Sequence, residues 1–393
     1  MPAELLALWP WCLLVLVVRP LGAAQGRLAV IAGAVVELAG LSAARMRPAS
    51  PTGLLLPVPT GIGLGFLFLI WSSILLWALL AAPSRSGWLR PILVGGAAAT
   101  LITMLPFGFG VALTLLLVSA LLRPWAVAER QSPHPWRGPM LAGLLWSAAA
   151  ALQAAPDARG AAPRLTAAAL LAVLGLMVLC AAVFPFRRRI GASHQASQEF
   201  VATWLVAPAV AVNLLHWLSQ MPLGQVTPAL NLALSVGLIN LFLAALLVSK
   251  GPAWSSFAFA IDWSLILIGV GLDSRLGGLA ALLTMAQMCL LVPPLLSSEE
   301  AGHLHGSAGR LLAMAAHGAP PTVGFVARTV LLEATAGRAM WLAALLLVGL
   351  ISGLPATLRA SRDGGRLEPG TGPSWSAGAL VVAALASGLP WLT

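Results

Sequence analysis

The chain has 393 residues, 59% of them hydrophobic and 9% charged, with a mean hydropathy of +0.93. A soluble core cannot account for so much apolar sequence, so the class is a polytopic membrane protein. The formal charge of +10 does not signal a nucleic-acid partner, because the bases are spread over the connections between apolar runs rather than gathered in one patch.

A helix needs about 20 apolar residues to cross a bilayer, and about fourteen such segments are present. They lie near 4–18, 28–44, 58–82, 91–106, 107–122, 139–155, 165–186, 198–219, 227–249, 254–272, 277–296, 311–335, 339–358 and 374–392. The first, LLALWPWCLLVLVV, has no basic region ahead of it and no small-residue cleavage site behind it, which predicts a retained helix. The second carries Glu37 in AVVELAG, within the span or near an interface. Pro106 divides the fourth segment from the fifth.

Counted loop by loop, the odd-numbered connections hold fifteen Arg or Lys residues, Arg27 and the run Arg187, Arg188, Arg189 among them. The even connections hold six, Arg338 included, and Arg328 falls inside a segment. The positive-inside rule makes the odd loops cytoplasmic and puts both termini on the other side. Cys12, Cys180 and Cys289 lie in separate apolar segments with no metal-ligand spacing. The fifteen tryptophans, many near segment ends, suit interfacial anchoring.

Charges within spanning segments usually face protein or a hydrated path, so the informative residues are Glu37, Glu199, His216, Asp262, His317, Arg328 and Glu333. In the segment 198–219, helical geometry gathers Glu199, Thr203, Asn213 and His216 into a polar stripe, and Pro208 interrupts the helix between its halves. Glu199 also suits a solvated helix start, and His216 a hydrogen-bonded core histidine. In HGAPPTVGFVARTVLLE, residues 317–333, Pro320 and Pro321 remove two donors while Gly318 and Gly324 admit a close neighbour. Arg328 and Glu333 stand about 140° apart around the helix, too far to pair. Arg328 then needs a partner elsewhere, with Asp262 and Glu37 as the candidates. The loop SSEEAGHLHG offers Glu299, Glu300, His303 and His305 to a metal, but a solvated loop explains it as well.

The two Pro/Gly-interrupted segments resemble the antiporter-like membrane subunits of respiratory complex I (L, M and N) and of Mrp-type cation/proton antiporters. The family's GIPPxxGFxxK element matches Gly318, Pro320, Pro321, Gly324 and Phe325, with Arg328 where the family usually has lysine. Its PFHxWLPxAH element is matched by PFRRRIGASH at Pro185, Phe186 and His194, without the tryptophan and second proline. Its DLKRLLAYSSIxHxGY run aligns with SKGPAWSSFAFAIDW on Ser255 and Ser256, leaving Lys250 one place late and Asp262 at the tyrosine position.

The resemblance implies an all-α polytopic membrane protein of about 14 transmembrane helices, two of them discontinuous, in an inverted-repeat arrangement. It divides the single membrane domain 1–393 into N-terminal helices 1–90, a first repeat 91–220, a second repeat 227–358 and a C-terminal helix 374–392. It further implies a bacterial-type inner membrane, other membrane subunits of a hetero-oligomeric complex as partners, and protons or Na+ as the moving ions. No cofactor or metal is expected, since no nucleotide, haem or iron–sulfur motif occurs, although the complex joined would be NADH-quinone-oxidoreductase-like. The family's relay lysine would fall at Ala211, and its glutamate within 111–122, where no acid exists. What remains is an axis of His194, Glu199, His216, Lys250, Asp262 and Arg328, with Glu333 beyond it. An independent inverted-repeat carrier is the other reading, since broken helices in two halves would frame a central substrate site.

Overall fold

The structure is a computed structural model that describes residues 23–46, 61–80, 89–105, 108–128, 137–155, 161–180, 205–248, 254–300, 314–315, 317–320 and 322–363. Among the described residues there are helices and no strands. In chain order the helices are α1 (Ala23–Met46), α2 (Gly61–Leu80), α3 (Leu89–Met104), α4 (Phe109–Ala128), α5 (Arg137–Ala154), α6 (Ala161–Cys180), α7 (Ala207–Gln220), α8 (Leu223–Val248), α9 (Trp254–Gly271), α10 (Arg275–Glu300), α11 (Val323–Arg338) and α12 (Met340–Asp363). Each overlaps an expected apolar segment. The segments 4–18 and 374–392 lie outside the described residues.

Stretches within α1, α6 and α8 are long and apolar enough to cross a membrane on their own: Gln25–Ser42, Ala162–Cys180 and Leu223–Leu246. In hydrocarbon every backbone polar group must find a partner inside the chain, which selects helices for sequence this apolar. α3 ends at Met104, and α4 begins at Phe109 after Gly108, whose φ of 88° favours a residue without a side chain; Pro106 lies outside the described residues.

The chain forms two compact units. The first holds the described residues up to 181 and those between 191 and 229. Within it α5 packs along α4 and α6, α1 along α2, and α7 against α2, α3 and α6. Trp71 of α2 donates its indole N–H to Thr100 of α3 at 3.0 Å, both buried, and the Asn213 amide of α7 reaches the Ile102 carbonyl of α3 at 3.3 Å. Arg27 on α1 donates to the carbonyls of Ala78 and Leu79, at 2.6 and 2.5 Å. These belong to the last turn of α2, whose carbonyls have no partner in their own helix.

The second unit holds the described residues from 230 onward. There α10 packs between α9 and α11, and α12 follows along α11. Its core joins Leu241, Ile261, Leu265, Ile268, Leu331 and Leu346, from α8, α9, α11 and α12. Arg338 plays the part here that Arg27 plays in the first unit, donating to the carbonyls of Gly271 and Leu272 at the end of α9, at 3.0 and 3.2 Å.

Small residues set the closest approaches, as is usual where lipid supplies no hydrophobic drive between helices. A Cβ at Gly271 would sit 2.6 Å from the Leu230 carbonyl oxygen and 2.5 Å from the Leu234 nitrogen. Both are backbone atoms of α8 that cannot swing aside. Gly271→Ala should therefore force α8 and α9 apart at a cost of about 1–3 kcal/mol, read as a lower melting temperature in detergent. Ala at Gly337, where nothing lies within 4 Å, should leave it unchanged.

Candidate functional site

Most hydroxyls inside these helices satisfy themselves. Thr100, Thr114, Ser147, Thr284 and Thr335 each donate to the carbonyl one turn earlier, at 2.8 to 3.0 Å, a bond that needs no partner helix. The buried polar residues that cannot close such a local bond mark the places where the fold does something else: Glu37, Asn240, Asp262, Gln287 and Arg328. Four of these belong to the second unit.

The charged part of that unit is built around a turn that follows the described helical residues 314–315 and precedes α11. Gly318 N–H donates to Ala315 and Ala319 N–H to Met314, both at 2.9 Å, and Gly318 has a φ of 73°. That pair of bonds around a left-handed glycine is the Schellman ending of a helix. Pro320 follows, and Thr322 then starts α11 as its N-cap, accepting from the Phe325 N–H at 3.3 Å. An end and a beginning are thus written in eight residues, 315–322.

Two glycines of the motif are explained by what lies over them. A Cβ at Gly318 would overlap the Arg328 guanidinium, and one at Gly324 would overlap the Gln287 side-chain amide. Gln287, on α10, donates to the Ala315 carbonyl at 3.3 Å, adding a bond at the start of the turn. His317, half-buried, lies within electrostatic reach of Arg328 and hydrogen-bonds the backbone of Leu350 in α12.

Arg328 points from α11 to α9, where its Nη2 donates to Oδ1 of Asp262 at 3.4 Å; both side chains are 9% exposed. The pair occupies one face of α9 only. Ala260 and Ser264, two residues to either side of Asp262 and so about 200° around the helix, turn to α8, where the Asn240 amide donates to them at 3.1 and 2.7 Å. One helix thus holds an amide–hydroxyl contact on one side and an ion pair on the other.

The expected partner of Arg328 is therefore Asp262 and not Glu37, which lies in the first unit, fully buried on α1. His216 is exposed at the end of α7 and pairs with Gln220 at 2.9 Å, and Glu333 is exposed on α11. Neither joins the ion pair. Pro208 lies in the first turn of α7, and a π turn at Leu205 and Val206 precedes it. Phe325 is half-buried on the first turn of α11 and Pro320 is exposed. Pro185, Phe186, His194, Glu199, Lys250 and Pro321 lie outside the described residues, as do His303 and His305. Cys180 and Cys289 are buried and unbridged. No group of acids, histidines or cysteines suited to a metal occurs among the described residues. Gln287 was not singled out from the sequence; its only signal there is a lone amide in the apolar run AALLTMAQMCLL.

No family model and no curated protein matches the chain. Solved structures do. A chain of respiratory complex I from Thermus thermophilus is similar over 100% of this chain and 98% of its own, with 18% identity and a TM-score of 0.67. A chain of the archaeal membrane-bound sulfane sulfur reductase, a respiratory membrane complex, is similar over 99% and 94%, with 14% identity and a TM-score of 0.76. A chain of the Mrp complex from Dietzia sp. DQ12-45-1b is similar over all of this chain but 51% of its own, with 16% identity and a TM-score of 0.73. The chain shares the fold of these membrane-complex chains, and the residues at 318–328 resemble the same group.

Removing one member of a buried ion pair strands the other charge and typically costs about 3–5 kcal/mol, whereas removing both is often close to neutral. Asp262→Ala should accordingly lower the melting temperature in detergent sharply. The double variant Asp262→Leu/Arg328→Met should recover most of the loss. Equal losses in the single and double variants would show that the pair is not coupled.

Proposed function

We propose that the chain is a divergent antiporter-like membrane subunit of a multi-subunit, ion-translocating assembly, complex I-like or Mrp-like, in which it has a structural and coupling role. The observation that carries this reading is the Arg328–Asp262 pair, held beside the turn at 315–322, with Arg328 where the resembling family keeps a lysine. The fold shared with membrane-complex chains supports the same reading.

In this reading about fourteen helices cross a bacterial-type inner membrane, with both termini on the non-cytoplasmic side. Two discontinuous helices, at 198–219 and 311–335, lie in repeats 91–220 and 227–358, flanked by N-terminal helices 1–90 and a C-terminal helix 374–392. A lysine in a relay works because burial lets it lose its proton, whereas arginine stays protonated in proteins. Arg328 paired with Asp262 is thus a fixed charge: it can gate a hydrated path or orient a neighbour's ion, but it cannot hand on a proton. With Ala211 at the relay-lysine position and no acid in 111–122, the chain keeps the electrostatic frame of a translocating subunit without its full relay. Residual conduction would involve His194, His216, Lys250 and Asp262.

Gentle solubilisation and native electrophoresis separate this from an independent carrier. Co-migration with several other membrane proteins is expected, and a discrete monomer or homodimer would overturn the subunit reading. Within the purified assembly, Arg328→Lys should weaken association less than Arg328→Leu does, and should make it pH-dependent, since a buried lysine carries the charge but can lose it. Arg328→Leu should weaken association by stranding Asp262. If Arg328→Leu changes neither association nor flux in proteoliposomes, the fixed-charge role is wrong.

A further inference from the structure

Glu37 is used by nothing above. It lies on α1 with no solvent exposure, and among the described residues neither carboxyl oxygen has a hydrogen-bond partner. Among the described helices, α2 and α3 pack most closely along α1. Of these, α2 has no titratable residue, and α3 has one, Arg90, in its first turn. On α1 itself, Arg27 stands ten residues earlier, about 15 Å along the axis, and is engaged by the end of α2. Arg45 stands eight residues later, about 12 Å along. The packing helices thus offer Glu37 no cation at its own depth.

A carboxylate in such a place would forfeit its hydration with nothing in return, a penalty of several kcal/mol or more, and groups so placed neutralise instead. A neutral carboxylic acid forfeits only about 1–3 kcal/mol for its unmade hydrogen bonds. We propose that Glu37 is a proton-binding site: at neutral pH the folded chain carries it as the carboxylic acid, and the ligand of the site is a proton. Binding requires only that the carboxylate oxygen take a proton from water and return it when the site hydrates. The inference stands apart from the proposed function, since it needs neither Arg328 nor any partner subunit.

The test uses the full chain in lipid nanodiscs at pH 7. The infrared difference between wild type and Glu37→Gln should show a protonated-carboxyl C=O band in the wild type that is lost in the variant. Loss of a carboxylate band instead would overturn the proposal. Should Glu37→Gln fail to accumulate, the wild type alone carries the test through a hydrophobic carbodiimide, which reacts with protonated carboxyls. Trypsin cuts after Arg27 and Arg45, releasing residues 28–45, in which Glu37 is the single acid. An adduct on that peptide that disappears as the pH is raised supports the proposal. A peptide left unmodified while other acids of the chain are labelled overturns it.

Discussion

The arrangement of the second unit depends on one constraint, that a guanidinium and a carboxylate taken out of water must meet. Arg328 comes from α11 and Asp262 from α9, so the two helices are held in one register around the pair. The rest follows from making room for it. Gly318 lies under the guanidinium in a left-handed turn, and Gly324 clears space for Gln287. A residue with a side chain at either position would displace a polar group that has few other places to go. The opposite face of α9 is left to Asn240 and Ser264, so polar contacts act on both sides of one apolar helix. A buried ion pair is weak evidence for stability, but it penalises mispairing heavily. Its value here lies in fixing which helices meet.

The apolar segments were legible because a membrane span is a composition signal, and the described helices fall on them. Their ends were legible only where a residue type has a local effect, as at Pro106 or in the glycine–proline–threonine order of 318–322. What the sequence left open was long-range. Arg328 had two acids to choose from, Asp262 and Glu37, and no periodicity decides between helices 66 and 291 residues away along the chain. Gln287 passed unnoticed because one amide in an apolar run carries no pattern. The polar stripe through Glu199 and His216 rested on helical geometry alone; His216 is at the exposed end of α7, paired within its own helix.

Arg27 and Arg338 have a use in the structure that a count of loop charges does not reveal. Both enter the loop count that suggests sidedness, and in the structure both also close the last turn of a neighbouring helix. The two uses share a cause. A helix end at the membrane surface leaves carbonyls unsatisfied, and the long stem of arginine can lie against apolar helix while its donors reach them. A basic residue counted for topology is therefore also placed to lock two helices at their ends.

The chain contains two answers to a buried charge, and they differ in what they allow. In the second unit the charge is retained and paired: Arg328 cannot release its proton, so the pair changes only if α9 and α11 change their approach, and it would respond to conformation. On α1 the carboxyl of Glu37 has no partner among the described residues, so in the proposed reading it takes up a proton, and its state would respond to water. The two groups thus answer to different conditions, the pair to the approach of two helices and the lone carboxyl to hydration.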